Sequence, residues 1–574
     1  MSQATPTIPT VDVATLESAL SRGATVVDVR EPGEYVVGHV PGALLIPMGQ
    51  LASRTAELDR DAEVHLICAT GNRSAAMTDL LRAQGFSAYN VAGGTRAWEL
   101  SGRPLVAGRT PHPVGQGAHR PQILTVETPT LGDRSYLVHD GQVAFVVDPQ
   151  RDIDRVFELL ERHSLRLTHV FETHLHNDYV TGGLALAERT GAAYLVNADD
   201  AVAFERTPVR DGDVVAVGAR MRVQALATPG HTFTHLSFVL RDGEPGEQLA
   251  VFSGGSLLYG ATGRPDLLGP EHTHQLVRLQ HASAHRLAAE LPDDAGVFPT
   301  HGFGSFCSAT QSEATESTIG QERRSNPVLT QDEETYVREL LDGLGAFPAY
   351  YAHMGPANAA GPSAPDLSPP GQADPAELRR RIEAGEWVVD LRNRTVFAAG
   401  HVPGTLNFGL DGAFATYVGW LIDWGTPLTL LGETAEDVAT AQRELVRIGI
   451  DRPAAAATGG PEQWTDAPLT GFPTATFADL AQVRHHRPVT ILDVRRADEY
   501  AAARIDGAVN IPIHELTRRL DEVPAGELWI HCAGGYRASV AASVLDAAGH
   551  RLVAVDDSFD NARLVNLHLI GPEA

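Results

Sequence analysis

The chain has 574 residues, and its 72 Asp and Glu against 45 Lys and Arg give a formal charge of −27. That length predicts roughly three to five domains of ordinary size, and so acidic a surface argues against nucleic acid and anionic membranes as partners. No apolar run approaches the ~20 residues of a membrane helix, and the N-terminal segment lacks the basic and apolar regions of a secretory signal. Three cysteines, Cys68, Cys307 and Cys532, are too few for a disulfide framework, so a reducing cytoplasm is the expected location.

Taken in chain order, the sequence repeats itself. VVDVREPGEYVVGHVPGA at 26–43 recurs as VVDLRNRTVFAAGHVPGT at 388–405 and as ILDVRRADEYAAARIDGA at 491–508. In each copy a β-rich triplet ends in Asp (Asp28, Asp390, Asp493), with Arg two residues on (Arg30, Arg392, Arg495) and Gly 14 residues on (Gly42, Gly404, Gly507). A second apolar run follows (VHLIC, LTLLG, LWIHC), and its last residue precedes a further glycine, Gly85, Gly449 or Gly549, by 17 each time. Strand, loop, strand, tight loop and helix predict an α/β unit with a parallel sheet, present three times. Between the first two copies lies a different block, 121–355, flanked by Pro/Gly-rich stretches at 103–121 and 355–375 that lack periodicity and are expected to be linkers. The expected organisation is 1–106, 121–355, 374–469 and 472–574.

Cys68 stands in Cys-Ala-Thr-Gly-Asn-Arg and Cys532 in Cys-Ala-Gly-Gly-Tyr-Arg, each between an apolar strand and an Ala/Ser-rich helix. A thiol at a helix start meets outward N–H groups and a positive dipole end, which favour the thiolate. Arg73 and Arg537 add charge and a fork for an anionic group. These loops, the Asp-x-Arg strand ends, the Gly-His-x-Pro-Gly-Ala segment at 38–43 and Val-x-Gly-Gly at 91–94 before Trp98 resemble the rhodanese family of sulfurtransferases. The resemblance implies that Cys68 and Cys532 accept a sulfane sulfur as a persulfide and pass it on. The four residues between Cys and Arg, rather than the five of related phosphatases, favour sulfur over phosphate. The middle copy has Gly432 and Asp437 where the others have Cys and Arg, so it is expected to be structural or an interaction surface.

The block at 121–355 carries Thr173-His174-Leu175-His176-Asn177-Asp178-Tyr179, then Thr228-Pro229-Gly230-His231-Thr232, Ser253-Gly254-Gly255-Ser256 and Pro299-Thr300-His301-Gly302, each after an apolar strand. Imidazoles two apart on one loop, with others on distant loops, suit one metal ion. The set resembles the metallo-β-lactamase fold, an αββα sandwich with its metal at one edge. The fold expected for the whole is therefore multidomain α/β, this sandwich plus three rhodanese-like domains with parallel sheets. Leu-Leu-Tyr-Gly-Ala-Thr-Gly-Arg-Pro-Asp at 257–266 and the fusion to rhodanese units resemble the persulfide dioxygenase branch.

That resemblance implies mononuclear Fe(2+) held by two His and one Asp, His174 and His231 being the histidines. The Asp would fall at Gly255, and Tyr179 replaces the usual last His of the first motif. Three imidazoles, His174, His176 and His231, are then the expected ligand set for iron or zinc, with Asp178 and His301 holding water or a weaker second ion. Cys307 is expected as a packed thiol or a persulfide station beside the site, with Arg264 and Asp266 at a substrate carboxylate or amine.

The function implied is oxidation of a low-molecular-weight thiol persulfide, such as glutathione persulfide, to sulfite and thiol. Rhodanese transfer through cysteine persulfides accompanies it, with sulfite and thiosulfate as partners and a homo-oligomer left open. A metal-dependent thioester hydrolase of the glyoxalase II type fused to sulfur carriers, and a sulfur carrier on a metal-free scaffold, stay open as alternatives.

Overall fold

In this computed structural model the described residues are 8–572, apart from 21, 23, 31–33, 36–37, 52–53, 56–57, 59, 61, 102, 104, 106–111, 114–119, 244–246, 311, 313 and 566. Most of the expected linker at 103–121 thus lies outside the described residues. The chain divides into two compact units, one of Met1–Glu127 with Tyr136–Val138, the other of Thr128–Ser135 with His139–Ala574.

In the first unit the strands Thr10–Val11, Ser87–Val91, Glu63–Ile67, Thr25–Asp28 and Leu44–Leu45 lie side by side in that order, all parallel. Val26, Val27, Leu66 and Ile67 are fully or almost fully buried, as expected for a parallel sheet covered on both faces. The sequence repeat reappears as repeated geometry in the second unit. Leu406–Asn407, Trp387–Asp390, Leu428–Gly432 and Ala455–Thr458 form one parallel sheet. Thr474–Ala475, Arg551–Val555, Glu527–His531, Thr490–Asp493 and Val509–Asn510 form another. In all three copies the strand-end Asp binds its Arg, and that Arg donates to a carbonyl eight residues on. The pairs are Asp28–Arg30 with Gly38, Asp390–Arg392 with Gly400, and Asp493–Arg495 with Ala503. Each pair is buried, and each Asp also accepts its own Arg backbone N–H at 3.0 Å, so the carboxylate is satisfied inside the turn.

Between the second unit's start and its first parallel sheet stands a sandwich. Val143–Val147, Arg166–Phe171, Ala193–Asn197 and Thr207–Val209 run parallel in one sheet. The other sheet orders Val214–Val217, Met221–Ala227, Leu236–Asp242, Glu247–Gly254, Gly296–Pro299 and Ser317–Thr318. Phe145 meets Phe252, and Phe171 meets Phe238, edge to face across the two layers. The helix Pro270–Glu290 covers the second sheet with Val277, Ala284 and Leu287. The histidine loops leave the strand ends at one edge of this sandwich.

The stretch 355–375 departs from its expected role as a linker. The helix Tyr351–Ala360 runs into it, with Pro356 inside and Gly361 in the left-handed region ending it. Its Asn358 is buried, donating to the carbonyls of His176 and Tyr179 at 2.8 Å and accepting the N–H of Thr181 at 2.9 Å. One hydrophobic core then runs through the sandwich and both later repeats, joining Tyr179, Met354, Phe414, Val418, Leu492, Ile530 and Leu545. The two later repeats are docked on the sandwich rather than tethered to it. Charges seal the joint: Arg447 binds buried Asp152 at 2.7 Å, and Arg443 binds Asp154 at 2.6 Å.

Burial pushes the Asp152 carboxyl up, but the guanidiniums of Arg447 and Arg155 outweigh it and hold it below its ordinary range. A depressed carboxylate contributes stability above its unfolded pKa of ~3.9 and loses it as pH falls. Asp152→Ala is expected to lower the stability of the joined body by about 3–5 kcal/mol at pH 7, and by progressively less below pH ~4, in urea unfolding followed by tryptophan fluorescence.

Candidate active site

At both active-type loops the strand delivers a thiol to the start of a helix. Cys68 follows Glu63–Ile67 and precedes the helix Asn72–Ala83, and Cys532 follows Glu527–His531 and precedes Tyr536–Ala547. Gly71 and Gly535 take φ of +93° and +95° to make the turn, and each donates its N–H to the sulfur at 3.1 Å. Ser74 Oγ lies 3.3 Å from Cys68 Sγ and 2.7 Å from Asn90 Oδ1. Burial pushes the Cys68 thiol up, but the donors from Ser74, Thr70 and Gly71 outweigh it, so its pKa is lowered.

Arg73 forks onto Glu34 at 2.7 and 2.5 Å, and Arg537 forks onto Glu499 at 2.6 and 2.7 Å. These glutamates escaped sequence reasoning although a signal existed. Each lies six residues after its strand-end Asp, where the Cys-less copy has Val396. The copy that lacks Cys and Arg also lacks the acid that orients the Arg. There Asp437 caps its helix instead, exchanging hydrogen bonds with Thr434 at 2.8 and 3.1 Å.

In the sandwich, His174, His231 and His301 bring one ring nitrogen each within 4.8 Å of one another. His301 Nε2 lies 3.4 Å from His174 Nε2. Each ring is anchored by its other nitrogen. His174 Nδ1 meets Thr173 Oγ1 at 2.9 Å, His231 Nδ1 meets the carbonyl of Arg264 at 2.8 Å, and His301 Nδ1 meets Asp133 and Asp178 at 3.0 Å. His231 Nε2 is buried without a hydrogen-bond partner among the described residues, an arrangement that a metal ion completes. Burial and the charge of His301 push His231 down to about 3, and burial holds His174 well below its ordinary value, so both rings are neutral and ready to coordinate. Burial opposes the charge on His301, but Asp178 and Asp133 raise it to about 10.

The grouping differs from the sequence expectation, which joined His176 to His174 and His231 and left His301 to water or a second ion. His176 Nε2 turns toward buried acids, 3.3 Å from Asp148 and from Glu172, and 3.0 Å from the Tyr179 hydroxyl. Those acids outweigh its burial and raise it to about 9. Tyr179, in place of the usual histidine, thereby bonds His176 Nε2, while His176 Nδ1 is buried without a hydrogen-bond partner among the described residues. His176, Asp178 and His301 also form a compact group of potential ligands, sharing His301 with the first. Gly255 has no room for the expected Asp: a Cβ there would lie 2.3 Å from His231 Cδ2. The donor set at this edge is therefore three imidazoles, and the negative charge sits behind His301.

Asp148 and Asp133 were also missed. Asp148 ends the strand Val143–Val147 at φ +51°. Its carboxylate accepts the N–H and hydroxyl of Thr173 at 2.7 Å, and the hydroxyl of Thr300. An Asp closing an apolar strand was visible in the sequence, but its partners were not. Cys307 is completely buried, and burial with the nearby carboxylates of Asp178 and Asp133 keeps it a neutral thiol. Arg264 forks onto Asp266 at 2.7 and 2.8 Å, donates to the carbonyl of Gly345 and lies over Phe347, so both ends of that pair are engaged within the protein.

A sandwich with imidazoles converging at one edge, joined to three parallel α/β repeats, defines a metallo-β-lactamase-fold protein with rhodanese-like domains. The family model "Rhodanese-like domain" matches residues 12–101, 374–467 and 476–562, and "Metallo-beta-lactamase superfamily" matches 131–301. A persulfide dioxygenase ETHE1 of Bos taurus is 30% identical over 219 residues, 37% of this chain and 75% of its own. A hydroxyacylglutathione hydrolase of Chromohalobacter salexigens is 32% identical over 221 residues, 34% of this chain and 81% of its own. A crystal structure of a metallo-beta-lactamase from Staphylococcus aureus superposes with a TM-score of 0.53 and 26% identity, covering 59% of this chain and 99% of that one. The chain belongs to the metallo-β-lactamase superfamily, as a persulfide dioxygenase-like member fused to three rhodanese-like domains.

Two outcomes test the site. His231→Ala and His301→Ala are each expected to cut bound metal at least tenfold, measured by plasma mass spectrometry on the full chain. In a Cys532→Ser background, alkylation of Cys68 by iodoacetamide is expected to reach half its maximal rate below the ~8.5 of a free cysteine. A midpoint above that value contradicts the donor arrangement.

Proposed function

We propose that this chain is a sulfane-sulfur enzyme of four units, at 1–106, 121–355, 374–469 and 472–574. It oxidises a low-molecular-weight thiol persulfide with O2 to sulfite and thiol, and carries sulfur on Cys68 and Cys532. The balance is RSSH + O2 + H2O giving RSH, sulfite and two protons. Bound by His174, His231 and His301, ferrous iron supplies the redox chemistry of that step. The protein's own part is to hold the neutral nitrogens of His174 and His231 beside Nε2 of His301, and to keep two carboxylates behind His301, which favour its protonated ring until a cation displaces the Nε2 proton.

At the rhodanese loops the cysteine thiolate attacks a donor's outer sulfur. The donor's S–S (or S–sulfonate) bond breaks, and the persulfide is stabilised by the Gly71 or Gly535 N–H. Sulfite then takes the outer sulfur as thiosulfate and the cysteine leaves as thiolate, with no external oxidant.

The observation that carries the reading is the bare, buried Nε2 of His231 facing His174 and His301, in the same chain as two complete Cys–Arg–Glu loops. Against a dinuclear thioester hydrolase stands Tyr179, a phenol where the first histidine motif of that family carries its last histidine. The test is an oxygen electrode with glutathione persulfide. One O2 consumed per sulfite formed is expected, abolished by metal removal and restored by Fe(2+). Hydrolysis of S-lactoylglutathione with no O2 uptake, restored by zinc, overturns the proposal in favour of the hydrolase. Cys68→Ser with Cys532→Ser is expected to abolish thiosulfate formation while O2 uptake continues.

A further inference from the structure

Beside the Cys532 loop lies a cavity of about 230 Å³ that no sequence motif announces. Three parts of the chain build it. Phe306 comes from the loop after His301, Tyr417 and Trp420 from the Cys-less repeat, and Arg496, His514 and Arg537 from the last repeat. The walls are packed against one another: Phe306 meets Trp420 edge to face at 4.9 Å, Trp420 stacks on His514 at 4.8 Å, and the Arg496 guanidinium lies 6.0 Å from the Phe306 ring. Arg537, which lines the cavity, lies five residues after Cys532 in the first turn of the helix that follows the thiol.

Its charge and size narrow the occupant. Within the lining Arg496 and Arg537 share one acid, Glu499, while Arg496 also binds the exposed Asp498 outside the lining at 3.0 Å. Burial keeps His514 below its ordinary range, so it adds no charge at neutral pH. The lining therefore carries one net positive charge between flat aromatic faces. The volume is several times the ~30 Å³ share of one water, which suits an organic molecule better than a bare sulfur oxyanion. The aromatic wall also explains the Cys-less repeat. Its helix Phe414–Leu421 carries Tyr417 and Trp420, and the repeat is held over the Cys532 helix by Tyr536 Oη donating to Gly409 at 3.0 Å and Ser539 to Asn407 at 3.0 Å. As a result the Arg537 side chain is 13% exposed, against 34% for its counterpart Arg73.

We propose that this cavity binds the body of a low-molecular-weight thiol persulfide bearing one net negative charge, and that the Cys-less repeat is retained to form its aromatic wall. The carboxylate of the carrier sits at Arg496 and its flat groups lie against Trp420 and Phe306, placing the outer sulfur at Cys532. There the thiolate attacks that sulfur, the carrier's S–S bond breaks as the Cys532 S–S bond forms, and the carrier leaves as its thiolate. One persulfide is consumed and one is made, with no net redox change. The inference rests on the reading of Cys532 as a sulfur carrier, so its test includes an arm that needs no chemistry.

The full chain with Cys68→Ser leaves Cys532 as the one loop cysteine of the active type. With glutathione persulfide as donor, Phe306→Ala and Arg496→Gln are each expected to raise KM about tenfold, and with thiosulfate less than threefold. Trp420→Phe, which keeps an aromatic face, is expected to stay within threefold for both. In parallel, S-methylglutathione, which cannot transfer sulfur, is titrated calorimetrically into the same proteins. Saturable binding by the parent, weakened about tenfold in Phe306→Ala and Arg496→Gln, supports the cavity even if Cys532 never becomes labelled; in that case the carrier reading alone fails. No saturable binding by the parent, or equal KM changes for both donors, overturns the cavity proposal.

Discussion

One buried carboxylate organises the histidine edge. Asp148 accepts from Thr173 and Thr300, and each of those residues immediately precedes a histidine of the converging group. The same carboxylate faces His176 and favours its protonated form. Two loops more than a hundred residues apart in sequence are thereby brought to one acid, at a backbone conformation, φ +51°, that costs about 1–3 kcal/mol for a residue other than glycine. Burying the charge is tolerable because hydroxyl, amide and imidazolium partners surround it. With the loops held there, the far nitrogens of His174 and His301 have few directions left to point.

The loss of a catalytic set in the middle repeat has a structural logic of its own. Three positions that work together elsewhere, those of Cys532, Arg537 and Glu499, are Gly432, Asp437 and Val396 in that repeat. Freed from holding a sulfur, its loop uses Asp437 and Thr434 to cap the helix, each side chain accepting the other's backbone N–H. Apolar side chains of this repeat, among them Phe414, Val418 and Leu445, lie in one core with side chains of the sandwich and of the last repeat. Membership in a fold thus persists without the chemistry, because the packing surfaces of the fold remain useful.

Much of this was legible in the primary structure. The repeated Asp-x-Arg turns, the two cysteine loops and the order of the histidine loops depend on short spacings, and local geometry follows from short spacings: a Gly at φ near +95° three residues after a cysteine directs an N–H at its sulfur wherever the unit sits. Glu34 and Glu499 were within reach of the same comparison, since a Val replaces them where the cysteine is gone. The helix Tyr351–Ala360 was hidden by its Gly, Pro and Ala content, and what stabilises it is tertiary, the burial of Tyr351, Met354 and Asn358.

Sequence alone determined that the chain is α/β, that three of its parts share one fold, that two of these keep a thiol at a helix start, and that a histidine-rich sandwich lies between the first and second. Only the tertiary structure decided which imidazoles converge, that His301 rather than His176 completes the group with His174 and His231, that Gly255 leaves no space for a carboxylate, and that the Cys-less repeat walls a neighbour's cavity. The physical reason is distance along the chain. A turn or a helix start is set by residues within a few positions, whereas a ring's direction and a cavity's walls are set by side chains brought together from hundreds of residues apart, through packing and buried charge that no local pattern records.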